Sequence, residues 1–264
     1  MLRTLKLVGR LTAVSFRSKL QYKASFWTLT IAYFFSTVIE VVGIGVLFAR
    51  FHSIKGWNFE EVLLLYAVIS MGFATAECLS RGFDKFSILV RHGGFDRMLL
   101  RPVGTLLQVA VSEVQPMRVG RWIQALLLLL WSMDALHLSW LSTAGVVVLL
   151  CYCGVSCLFY GLMILQATCS FWSTESLEIF NIATYGGLEA ARFPLSIYDR
   201  PMRLLFTFVI PLGCVGYLPL ASILEQEAVP QWVGLVGPFA GGIFLLACCA
   251  LWRVGVRHYN SVGS

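Results

Sequence analysis

Long apolar stretches separated by short polar ones set the pattern of this chain, and the stretches read as membrane-spanning helices. A helix needs roughly 20 apolar residues to cross a hydrocarbon core about 30 Å thick. Residues 26–49 predict the first crossing, with Glu40 as its only charge. Residues 62–79 predict the second, with Glu77 near its end. Between 105 and 133 the pattern is mixed, because Glu113, Gln115, Pro116, Arg118 and Arg121 interrupt its first half. This predicts a lead-in over 105–120 and a third crossing over 122–138. Residues 141–168 predict the fourth crossing, where Gly154, Ser156 and Gly161 permit close helix contact. Residues 232–252 predict the last, followed at once by Arg253, Arg257 and His258.

The stretch from 171 to 224 allows two topologies, since having both termini on one side requires an even number of crossings. In one, 175–191 crosses outward and 204–224, broken by Pro211 and Pro219, is a re-entrant hairpin on the outer side. In the other, 171–203 stays cytoplasmic and 204–224 is the fifth crossing. Counting charge alone favours the second, which places Arg192, Arg200 and Arg203 inside.

Composition supports the membrane reading. Of 264 residues, 58% are hydrophobic and only 13% charged, whereas a soluble domain is about a quarter charged. That excludes a soluble globular enzyme, a disordered tail and a coiled coil. The net charge of +6 raises nucleic acid as a partner, but its placement argues otherwise. Six basic and no acidic residues occupy the first 23 positions, and five basic against two acidic occupy 81–102. Basic clusters between crossings mark cytoplasmic segments. Residues 1–24 read as an amphipathic helix, with Arg3, Lys6, Arg10, Arg17 and Lys23 on one side. Leu5, Val8, Leu11 and Phe16 face away, although Lys19 interrupts that face. It could lie in the membrane interface or be a solvated basic tail. The eight cysteines lie in or at the ends of apolar stretches, which suits small buried hydrophobes better than disulfides or a metal site.

The chain lacks G-x-x-x-x-G-K-[ST] and H-E-x-x-H, and Gly154-Val155-Ser156 lacks the second glycine of a nucleophile elbow. The most informative segment is 91–102, between the second and third crossings. Gly93-Gly94 breaks the preceding helix, Asp96 suits a helix N-terminus, and Pro102 disfavours helix at Arg101. Phe95, Met98 and Leu99 form a small apolar face flanked by Arg97 and Arg101. Such a short helix could dock on another protein or be an interfacial loop.

This loop, with Phe171-Trp172, Phe193-Pro194-Leu195-Ser196-Ile197-Tyr198 and Ile210-Pro211 before Tyr217-Leu218-Pro219, resembles the ABC-2 type permease family, in particular a branch with a G-x-D-x-x-L-x-R-P loop. Gly94, Asp96, Leu99, Arg101 and Pro102 match that loop. The resemblance spans nearly the whole chain. It implies an all-α polytopic membrane protein, a single transmembrane domain over 1–264 with six membrane helices, set in the cell membrane with both termini cytoplasmic. It implies pairing with a second permease copy or a homologous permease. It also implies a cytoplasmic coupling loop over 81–104 that docks on a separate P-loop ABC ATPase, with Gly93, Gly94, Phe95, Asp96, Arg97, Met98, Leu99, Arg101 and Pro102 at the contact. ATP and Mg would belong to that partner, and this chain would need no cofactor, metal or nucleic acid. In the family a Pro-Leu-Ser turn ends the fifth helix on the outer side, which selects the first topology, with 204–224 re-entrant.

Charge inside a membrane is costly and faces a bundle interior or a cavity. Glu40, together with Glu178, Asn181, Tyr185 and Glu189 at spacings of 3, 4 and 4, could line a substrate path. Alternatively, these acids could pair with Arg118 or Arg121 and hold helices together. The function expected is the permease subunit of an ABC exporter of amphipathic or hydrophobic compounds such as drugs, peptides or lipid-like molecules. A secondary ion-coupled carrier using Glu40 and Glu77 is the alternative, although no inverted repeat is visible. A membrane enzyme lacks a catalytic constellation.

Overall fold

A computed structural model describes residue 9, residue 14 and residues 17–173, 180–226 and 229–259. Most of the proposed amphipathic segment 1–24, and Glu178, lie outside the described residues. Helices follow one another along the chain: α1 Lys23–Phe51, α2 Phe59–Asp84, α3 Phe86–Arg91, α4 Gly94–Leu99, α5 Thr105–Ser112, α6 Val119–Ala135 and α7 Thr143–Cys169. A π turn, Ile182–Gly186, leads into α8 Gly187–Ala191. Then come α9 Arg200–Leu204, α10 Leu218–Ile223, α11 Gln231–Val236 and α12 Phe239–His258. There is no strand among the described residues.

Four helical stretches are long and apolar enough to cross a membrane: Lys23–Phe51, Phe59–Arg91, Thr143–Cys169 and Gln231–His258. The pair Arg200–Val209 and Gly213–Ile223 adds a fifth if counted as one span, but it is bent by 80°. Six crossings were expected. In the third apolar stretch Pro116 separates the lead-in, α5 and a 3-10 turn Pro116–Arg118, from α6, which covers most of the crossing expected over 122–138. The α6 helix has 17 residues, about 26 Å at 1.5 Å each, just short of a ~30 Å core. The 80° bend has a local cause: Pro211 disfavours helix at the residue before it, and Ile210 is extended at φ −114° and ψ 94°.

The α2 helix is the hub. Its most apolar window is 83% buried, against 17% for α1, although both are rich in hydrophobic residues. The buried residues of α1 are Thr30, Thr37, Ile44 and Phe48, a stripe repeating about every second turn, so one narrow edge meets the bundle. Its other faces carry exposed Ile31, Phe35, Ile39, Val42 and Val46. Such a surface is tolerable in lipid and would aggregate in water.

Two ends of the bundle are distinct. The basic end holds Lys23 at the start of α1 and Arg253, Arg257 and His258 at the end of α12. At the opposite end fully buried Trp57 stacks on Tyr217 at 5.5 Å. There Glu61 accepts the Asn58 backbone N–H at 2.8 Å and the Gln226 amide at 3.0 Å, fixing the loop after α10 to the start of α2.

Between them α7 and α12 meet backbone to backbone. A β-carbon at Gly154 would lie 2.5 Å from the Pro238 carbonyl oxygen, and one at Gly241 would run into the Gly154 carbonyl. Gly241→Val should therefore destabilise the protein by about 1–3 kcal/mol. Gly242→Ala, where a β-carbon meets nothing within 4 Å, should be close to neutral. Thermal unfolding of the two variants in detergent measures the difference.

Candidate functional site

The loop between α2 and α6 is built on glycine. Gly93 has φ 64°, in the left-handed region that a β-carbon disfavours. A β-carbon at Gly94 would sit 2.7 Å from Leu89 Cδ1, so α3 and α4 pack against each other tightly. This fold turns Phe95 inward. Its ring is fully buried and meets Tyr259 at 4.9 Å, Phe86 at 5.2 Å, Phe171 at 5.4 Å and Trp252 at 6.4 Å. The expected exposed face of Phe95, Met98 and Leu99 therefore needs correction. Phe95 is an anchor in an aromatic cluster joining α3, α4, α7 and α12. Met98 is half-buried, and Leu99 is exposed together with Leu100. Arg97, Arg101 and Pro102 are exposed beside them, while Gly93 and Asp96 are half-buried.

Polar contacts complete the mounting. The Gln108 amide donates to the carbonyls of Met98 at 2.9 Å and Val103 at 2.7 Å. The Trp252 indole N–H donates to Thr105 Oγ1 at 3.1 Å. Glu113, between α5 and α6, bridges Lys85 at 2.8 Å and Lys19 at 3.4 Å. Burial pushes its carboxyl up, but the hydrogen bond and charge of Lys85, with Lys19 behind, outweigh that and hold it below the ordinary glutamate range. A cleft of about 550 Å³ lies here, lined by Val14, Lys19, Met98, Arg101 and Glu113 among others.

Arg81 pairs with Asp84 at 2.7 Å near the end of α2, and deeper in the bundle two further charge networks form. Near the basic end, Glu77 is 1% exposed and binds Arg118 at 2.9 Å and Arg121 at 3.1 Å. Arg118 also donates to Gln115 at 3.0 Å and lies over the Tyr33 ring of α1 at 4.1 Å. Nearer the opposite end, buried Arg192 binds Glu189 at 2.6 Å, Glu40 at 2.8 Å and Ser70 at 3.1 Å, and lies 4.8 Å from the Tyr66 ring centre. The Tyr66 hydroxyl donates to Glu40 at 2.8 Å. These bonds satisfy a guanidinium that would otherwise be buried unpaired, which is strongly destabilising.

The sequence grouping thus divides. Glu40 and Glu189 come together on one guanidinium. Asn181 and Tyr185 are exposed on the same helical stretch as Glu189, and the Tyr185 ring meets Phe73 at 5.7 Å. Pairing with Arg118 and Arg121 was anticipated for the path acids, yet those arginines take Glu77 while Glu40 and Glu189 take Arg192. Arg192 stood out in the sequence only as a misfit charge. Its i,i+3 spacing from Glu189 was the available signal. Tyr66, Ser70, Gln108, Trp252 and Tyr259 had no such marker. Among the described residues no three His, Cys, Asp or Glu side chains gather as a metal site.

A family model described as ABC-2 family transporter protein matches residues 34–263. No curated protein and no solved structure matches.

Three outcomes follow from this geometry. Phe95→Ala should cost about 3–5 kcal/mol, as for deletion of a buried aromatic ring, whereas Leu100→Ala should leave thermal unfolding unchanged. Glu77→Gln should destabilise by about 3–5 kcal/mol. Glu189→Gln, whose side chain is 63% exposed, should cost clearly less. Because the carboxyl of Glu113 titrates below its unfolded value, its clamp is fully present above the ordinary glutamate range and is lost as pH falls through the depressed value. Spin labels at Gln21 and Leu107 should keep a narrow distance distribution at neutral pH and broaden in acid, and Glu113→Gln should broaden it at neutral pH.

Proposed function

The chain belongs to the ABC-2 transporter family, and we propose that it is the membrane-spanning permease subunit of an exporter whose ATPase is a separate chain. One observation carries this reading: a short loop at the basic end is fixed rigidly on the bundle while presenting Arg97, Leu99, Leu100 and Arg101 outward. Buried anchors under an exposed basic and apolar rim suit a surface that receives force from a partner protein. The absence of a P-loop in the sequence agrees with hydrolysis of ATP on that partner.

The basic end is cytoplasmic in this proposal, as the positive-inside rule asks. The bent pair Arg200–Val209 and Gly213–Ile223 then enters and leaves from the outer side ahead of the last crossing. Arg192, one of the three charges that argued against this topology, is neutralised by Glu40 and Glu189, while Arg200 and Arg203 are exposed. The exposed apolar face of α1 pairs with a second copy or a homologous permease. Glu40, Asn181, Tyr185 and Glu189 border the path between the two halves. Two carboxylates share one guanidinium there, and the excess negative charge suits an amphipathic substrate bearing a cationic group. An ion-coupled carrier is less well supported, because Glu77 is held by two arginines and Glu40 by Arg192.

The test is co-purification of this chain with a P-loop ATPase from its own cells, followed by measurement of hydrolysis in proteoliposomes. The paired Arg97→Ala and Arg101→Ala chain should insert and unfold like the parent, yet lose stimulation of hydrolysis at least tenfold, about 1.4 kcal/mol. No co-purifying ATPase, or full stimulation by the double variant, would overturn the proposal.

A further inference from the structure

The charge networks of this bundle do not balance, and the imbalance differs between its ends. Toward the basic end, among the described residues, the ion pairs enlist Lys19, Arg81, Lys85, Arg118 and Arg121 with the carboxylates of Glu77, Asp84 and Glu113. Among these pairs the buried excess is one positive charge, Arg118 and Arg121 against Glu77, and a second lies nearer solvent, Lys19 and Lys85 against Glu113. Arg118 and Arg121 are largely buried, with 11% and 13% of their side chains exposed. Nε of Arg81 and of Arg121 is buried with no hydrogen-bond partner among the described residues. Water screens such an excess poorly at this depth, so the cations attract an anion that can enter an apolar setting.

Beside this network lies a cavity of about 510 Å³, within the range of small-molecule sites. Phe26 of α1, Ala74, Thr75, Cys78 and Leu79 of α2, Trp122 of α6 and Tyr152 of α7 form its walls, and Arg118 and Pro116 close one side. The lining is overwhelmingly apolar. Its hydroxyl pair is self-satisfied, with Thr75 and Tyr152 at 2.9 Å, and makes no demand on an occupant. Leu79 and Val119, also in the wall, are 46% and 38% exposed, so the cavity opens sideways on the outer surface of the bundle, where lipid lies. Lys23 is exposed one turn before Phe26.

We infer that this cavity holds one acyl chain of an anionic phospholipid, whose phosphate lies by Lys23 in the field of the excess positive charge. Charge complementarity selects an anionic over a zwitterionic head, and the sideways opening selects a bilayer lipid over a ligand arriving from water. The site is separate from the acidic pair assigned to the transport path. It would anchor α1, the least buried long helix, to α2 and α6 at the basic end.

The test uses the full chain in detergent, offered equal amounts of phosphatidylglycerol and phosphatidylcholine of the same chain length, with bound lipids counted by native mass spectrometry. The parent should retain phosphatidylglycerol preferentially. Lys23→Gln, a surface change, should reduce that preference about fivefold, the effect of one basic residue near an anionic head. Leu79→Trp and Val119→Phe fill the cavity from its exposed edge and should lower retention of phosphatidylglycerol several-fold at unchanged thermal stability. Equal retention of both lipids by the parent would overturn the inference without recourse to any variant. So would phosphatidylglycerol binding undiminished in the folded cavity-filling variants.

Discussion

Everything in this bundle hangs on how a few charges are satisfied out of water. Glu77 faces inward from α2, nearly inaccessible, and would be intolerable alone. Arg118 and Arg121 resolve that by reaching in from the start of α6. Their positions depend in turn on Pro116, which breaks the third apolar stretch and brings both guanidiniums to the level of the carboxylate. Tyr33 lies under Arg118 and so brings α1 into the same arrangement. The interruptions that make this stretch a poor crossing by hydropathy are the residues that tie three helices together.

A second assembly is aromatic. Phe86, Phe95, Phe171, Trp252 and Tyr259 bring together the loop after α2, the end of α7 and the end of α12. Edge-to-face rings pack without polar partners to satisfy, and the Trp252 N–H finds Thr105. The loop is therefore continuous with two spanning helices. Its buried ring rests on the ends of α7 and α12, which are themselves in backbone contact at Gly154 and Gly241. The α1 helix meets α6, the Pro116–Arg118 turn and α2 instead, and Lys19 just ahead of it pairs with Glu113 after α5.

Helical class and most spanning segments were legible because a membrane helix must satisfy its backbone internally and show lipid an apolar surface. Burial was not: α1 and α2 look alike in the sequence yet differ several-fold in exposure, since hydropathy cannot distinguish lipid from protein as a neighbour. The glycine pair and the short helix of the loop were legible from local chemistry, while the direction in which Phe95 points was not. That direction is decided by Phe171, Trp252 and Tyr259, far along the chain. Charge counting treated Arg192 as a free cation, whereas its partners Glu40 and Ser70 reach it only through tertiary packing.

The narrow stripe by which α1 touches the bundle has a further consequence. Thr30, Thr37, Ile44 and Phe48 give it one contact line, held by Gly120 against the Thr30 backbone, by the Phe59 ring against Phe48, and by charge at Arg118 and Arg192. Few buried apolar contacts mean a low local cost of displacement. In mechanical terms α2, α7 and α12 form a chassis, and α1 is a mast fixed along one edge. Such a member can swing about that edge without unpacking the chassis, so a change of shape in this protein need not disturb its core.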